Sequence, residues 1–108
     1  MVQSKSKLFD NELVINANLF KALSHPARLD ILRYLAQTQT CITGDISNQI
    51  PLGRTTVNQH LKELKDVGLI VGTTSGVKTN YCLNAKKIDE VSQILIRFFD
   101  KLKNSDCC

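Results

Sequence analysis

Residues 54–83 read RTTVNQHLKELKDVGLIVGTTSGVKTNYCL, and the period of their apolar residues changes once along the stretch. Val57, Leu61 and Leu64 are spaced to share one face of a helix over about 54–67. Gly68 follows, a residue suited to ending a helix. Beyond it the pattern turns β-prone. Residues 69–73 read as a strand, Thr74-Ser75-Gly76 as a turn, and 77–83 as the returning strand. Just upstream, Pro51-Leu52-Gly53 makes a tight turn, and Asp45 can cap a brief helix running through Ile50. Short helix, turn, longer helix and hairpin are the parts of a helix-turn-helix with a β wing behind it.

The flanks supply helices on both sides. From about Asp10 to Leu23, Leu13, Ala17 and Phe20 recur at helical spacing, with Val14 and Leu23 beside them. Ser24-His25-Pro26 breaks the pattern, and Pro26 suits the first turn of a second helix because its missing N–H costs nothing there. Leu29, Ile31, Leu32 and Leu35 carry that helix to about Ala36, and residues 37–40 read as a polar turn. Cys41-Ile42-Thr43 is short and β-prone. A last helix starts near Ala85 and carries Ile88, Val91, Leu95, Phe98, Phe99 and Leu102 along one stripe, with Ile94 and Ile96 on other faces. A helix apolar on more than one face wants two partners, here its own core and a second subunit. The expected fold is mainly α with a small β-hairpin wing, a winged helix-turn-helix dimeric through its first and last helices. Its expected division is a flexible arm at 1–8, the folded domain at 9–103 and a cysteine-containing tail at 104–108.

Composition narrows the function. A chain of 108 residues with 43% hydrophobic and 22% charged residues is one ordinary globular domain. No apolar run approaches the length needed to span a bilayer. Four cysteines without a secretory signal point to a reducing, cytoplasmic setting and away from a disulfide scaffold. The net charge is +4, and residues 51–88 carry all of it, with six basic groups against Glu63 and Asp66. A charge run alone is commonly a solvated face. Here it sits on a helix whose outer side offers Arg54, Thr55, Thr56, Asn58, Gln59 and Lys62. Asn and Gln bond bidentately to adenine, Arg to guanine, and Thr to base or phosphate. Most of these residues lie in the first half of the helix, the end that enters the major groove in such motifs. Lys62 and Lys65 suit phosphates, and Lys78 beside the hairpin turn suits a minor groove or phosphate. The expected partner is double-stranded DNA. His25 reads as a cap or surface group of the second helix, and His60 as a core-edge or phosphate-contacting residue. Without a Cys–His pair near in sequence, or a C-x-x-C at a helix start, no enzyme is expected.

Two blocks carry a family resemblance. FKALSHPARLDILRYL (20–35) and TTVNQHLKELKDVGLI (55–70) are similar to the second-helix and recognition-helix regions of ArsR/SmtB-type repressors, and the likeness extends over about 9–103. The resemblance implies a homodimeric winged-helix repressor that reads an imperfect palindrome, needs no cofactor to bind DNA, and releases it when an inducer binds. Two inducer sites familiar in that family are not intact. Where a C-V-C-D-L-type motif is expected, this chain reads Cys41-Ile42-Thr43-Gly44-Asp45-Ile46, with one cysteine, displaced. The last helix has Asp89 and Glu90 but no histidine, too little for a zinc site.

Sulfur remains: Cys41, Cys82, Cys107 and Cys108. Cys41 and Cys82 taken singly suit small buried hydrophobes, but their two strands usually pair in winged-helix folds. Adjacent thiols at Cys107-Cys108 strain a mutual disulfide, yet both can hold one soft ion. Thiolate ligation without histidine selects thiophilic ions, and within this family that points first to arsenite or antimonite. The expected inducer site draws on Cys107 and Cys108 with Cys41 or Cys82. The alternative is a thiol-redox or persulfide switch built from the same cysteines.

Overall fold

A computed structural model describes residues 8–38, 42–43, 50–75 and 78–104. Helices α1 (Asn11–Leu23) and α2 (Pro26–Thr38) are followed by the short strand β1 (Ile42–Thr43) and helix α3 (Arg54–Asp66). Strands β2 (Ile70–Ser75) and β3 (Lys78–Leu83) form the hairpin, and α4 (Ala85–Lys103) closes the chain. The sheet has the order β1-β3-β2 and is antiparallel throughout. The expected pairing of the strand before the helix-turn-helix with the second wing strand is therefore present, in the register Ile42↔Tyr81 and Thr43↔Asn80. The brief helix expected at 45–50, the arm except Leu8, and the tail except Asn104 lie outside the described residues.

The core forms where helix faces converge on the wing. Ile31 and Leu35 of α2, Leu61 and Leu64 of α3, Ile70 of β2 and Val91 of α4 are all buried in one cluster. Local chemistry sets the joints. At the end of α3 the Gly68 N–H donates to the Lys65 carbonyl at 3.0 Å and the Leu69 N–H to the Leu64 carbonyl at 3.1 Å. Gly68 takes φ +85°, open to glycine and strained for other residues. These bonds make a Schellman cap, and the buried pair Leu64 and Leu69 supplies its hydrophobic contact. Leu69 thus belongs to the cap rather than to the expected strand, and its carbonyl accepts from the Asn84 N–H at 3.0 Å. Asn84 then caps α4, its side-chain oxygen accepting from the Lys87 N–H. The second helix outruns its expected end by two residues, closed by Thr38 Oγ1 donating to the Leu35 carbonyl at 3.0 Å.

Helix α1 corrects one expectation. Its buried residues are Asn16, Leu19 and Ala22, whereas Leu13 and Ala17 from the expected stripe are exposed. Leu29, counted with the apolar face of α2, is 52% exposed as well. Leu8, Phe9, Leu13 and Ile15 before and on α1, and Ile96, Phe99 and Leu102 on α4, are the large apolar side chains left uncovered around the two helices. The helices meet through Phe20 and Phe98, edge to face at 5.9 Å between ring centroids, and through Lys101 Nζ to Glu12 at 3.8 Å.

Candidate nucleic-acid interface

Helix α3 divides cleanly into two faces. Val57, His60, Leu61 and Leu64 are buried, while Arg54, Thr55, Thr56, Asn58, Gln59 and Lys62 are exposed. Arg54, Asn58, Lys62, Thr55 and Gln59 share an arc of about 140° around the helix. Thr56 stands about 60° beyond that arc, next to His60. Every one of the six expected α3 residues is thus presented outward by a helix whose other side is anchored in the core. Lys78 opens β3 opposite Ser75.

Two features of this face follow from charge. Lys62 Nζ bonds Asp66 Oδ2 at 3.0 Å across one helical turn, with both side chains more than half exposed. That hydrogen bond, then the charge of Asp66, raises the pKa of Lys62 above its ordinary value. The ammonium has three donors, so a phosphate reaching Lys62 competes with Asp66 for it or shares it. Replacing Lys62 with alanine is expected to lower the slope of log affinity against log salt by about 0.9, the release associated with one phosphate. Binding isotherms at several salt concentrations measure this directly.

The buried side of α3 holds a contact that sequence reading missed. Arg28 Nε donates to His60 Nδ1 at 3.0 Å, across 32 positions of chain. Arg28 Nη1 also donates to the carbonyls of Lys21 at 3.1 Å and Ala22 at 3.3 Å. The His25 ring lies 4.2 Å from that of His60, centroid to centroid, and His25 Nδ1 accepts from the Ala27 N–H. His25 is therefore the expected cap of α2. His60 is the core-edge residue of the two expected alternatives, since it faces Arg28 rather than solvent. Its pKa is pushed down by burial first, then by His25 and Arg28, with Glu63 opposing.

A helix-turn-helix domain family model matches residues 23–73, from the end of α1 into the wing. The arsenical resistance operon repressor of Bacillus subtilis strain 168 is 34% identical over 91 residues, covering 82% of this chain and 86% of that one. This chain belongs to the ArsR family of winged helix-turn-helix regulators. Its fold matches the ArsR-like transcriptional regulator from Rhodococcus sp. RHA1 at a TM-score of 0.71 and 21% identity, over 87% of this chain and 88% of that one. A homodimeric winged helix-turn-helix DNA-binding domain from Mycobacterium bovis, a possible ArsR-family regulator, matches at 0.61 and 23% identity over 98% and 96% of the two chains.

Within this ArsR-family fold the expected inducer ligands are only partly described. Cys82, half-buried in β3 opposite Val71, is disulfide-bonded. A sulfur in a disulfide has no thiolate to offer, so Cys82 could serve as an ion ligand only after reduction. Cys41, Cys107 and Cys108 lie outside the described residues. Among the described residues, no group of three or more His, Cys, Asp or Glu side chains could hold a metal ion. No helix of the described residues is long and apolar enough to cross a membrane.

Proposed function

We propose that this chain is a cytoplasmic, homodimeric transcriptional repressor with no catalytic step. In this reading Arg54, Thr55, Thr56, Asn58, Gln59 and Lys62 read DNA, and Lys78 of the wing contacts the minor groove or phosphate. The observation that carries it is the two-sided α3: a polar, base-competent face turned outward from a helix locked to the core on its other side. The uncovered apolar residues of α1 and α4 support a dimer through those helices. Two recognition helices related by a two-fold axis read half-sites one helical turn apart, hence an imperfect palindrome. The chain binds that operator without a cofactor.

Arsenite, or another thiophilic ion, is the proposed inducer. The name of the Bacillus subtilis relative supports it, as do four cysteines without a histidine in α4. Cys107 and Cys108 hold the ion, with Cys41 or a reduced Cys82 completing the set. Inducer and operator oppose each other, so DNA weakens arsenite binding by the factor by which arsenite weakens DNA binding. Changing Cys107 and Cys108 together to serine is expected to keep operator binding while abolishing release by arsenite. Fluorescence anisotropy of a labelled operator under anaerobic reductant tests it, and normal release in the double variant would remove the tail from the site.

The disulfide at Cys82 favours a second reading, a thiol-redox or persulfide switch. The proposed partner of Cys82 is Cys41 or a cysteine of the tail. One peroxide oxidises the two thiols to the disulfide and is itself reduced to two waters, and DNA is released. Release by peroxide or polysulfide but not by arsenite would select this reading over the first.

A further inference from the structure

The recognition helix is tied to the rest of the domain by a bond that needs an uncharged imidazole. His60 Nδ1 accepts from Arg28 Nε, so its lone pair is the one an added proton would take. The same guanidinium holds the last carbonyls of α1, Lys21 and Ala22. One side chain thus joins the end of α1, the first turn of α2 and the middle of α3. A proton on His60 Nδ1 would end the Arg28 bond and set two cations face to face, with the His25 ring 4.2 Å away. The groups facing His60 are His25 at the cap of α2, Arg28 in its first turn and Glu63 from α3, while the α1 carbonyls are held by Arg28.

We propose that Arg28 and His60 are positioning residues that hold the recognition helix in its DNA-reading pose only while His60 is neutral, so that acid unlatches the helix and weakens operator binding. This rests on the reading of α3 as the DNA-contacting helix. The sign follows from the groups around His60. Burial, His25 and Arg28 all disfavour its charged form and together outweigh Glu63, which puts its pKa below 6.5. The latch is therefore fully present above 6.5 and is lost as pH falls through the lower value His60 has in the folded chain. The chain has only two histidines, so few other side chains titrate in this window.

The test uses a duplex selected by the full-length protein from a random pool at about pH 7.5, with affinity then measured there and at about pH 5.5 at constant ionic strength. The readout is the ratio of the two Kd values. Binding is expected to weaken on acidification by less than about 11-fold, the ceiling for a group that titrates below 6.5. His60→Asn places an amide oxygen where Nδ1 stands, can still accept from Arg28 and does not titrate, so its ratio is expected to fall to near one. His25→Asn, which keeps a capping acceptor on α2, is expected to retain most of the ratio. A flat profile in the unaltered protein, or a ratio that persists in His60→Asn, overturns the latch. Failure to select any duplex would count against α3 as the reading helix. The latch is then tested by NMR on the free protein: α3 amide shifts are expected to move with the His60 imidazole titration, and α3 shifts indifferent to it overturn the proposal.

Discussion

Alanine at Asn58 or Gln59 is expected to weaken operator binding by about 1–3 kcal/mol, roughly 5- to 150-fold in Kd. Both side chains are exposed on the outward arc of α3, so each is available for a bidentate bond to an adenine edge. Truncation removes that bond and leaves the base unpaired by protein. The loss should be confined to operators with the matching base pair, and discrimination at that one position should relax. Folding should barely register the change, because exposed substitutions away from caps and buried networks stay within about 0.5 kcal/mol. Anisotropy against a set of single-base-pair operator variants, together with a melting curve, measures both halves. Lys62→Ala provides the contrast, weakening all sequences alike.

Alanine at Leu64 acts through the other face. Leu64 is 0% exposed and sits among Val57, Leu61, Leu69 and Ile70. Removing its side chain loses the transfer free energy of the deleted carbons and leaves a cavity, about 2–5 kcal/mol together. It also empties the hydrophobic contact of the Schellman cap at Gly68, where helix turns into wing. For a chain of this size each kcal/mol moves the melting temperature by at least about 4 °C. A fall of about 8 °C or more in a thermal melt is therefore expected, measured at fixed protein concentration because a dimer's melting point depends on it.

Helix α3 is legible because its faces differ in kind: apart from His60, apolar residues recur at helical spacing on one, and hydrogen-bonding side chains fill the other. The end at Gly68 was legible because only a residue that tolerates positive φ can make that cap. Helix α1 was legible as a helix but not in its orientation. It carries apolar residues on two sides, and periodicity cannot say which side meets its own core when the other is also apolar. Asn16, a polar residue in the middle of the buried face, masks that face further. The Arg28–His60 bond left no trace in the pattern, since its partners lie 32 positions apart and neither departs from ordinary spacing. The sequence allows Cys82 as a thiolate ligand or as half of a disulfide, and leaves the choice open. The disulfide of Cys82 depends on which thiol the fold brings near it, and composition alone does not fix that.

The most direct measurement of the central claim, that the outer face of α3 enters the major groove of a palindromic operator, is a dimethyl sulfate footprint on a selected duplex. Dimethyl sulfate methylates guanine N7 in the major groove and adenine N3 in the minor groove, so protection at guanines reports on the major groove alone. Two protected patches related by two-fold symmetry and centred about 10–10.5 base pairs apart, or a whole-turn multiple of that, are expected. Both should be lost together in a chain carrying alanine at Asn58 and Gln59. Protection that survives in that variant, or binding without any major-groove protection, would contradict it.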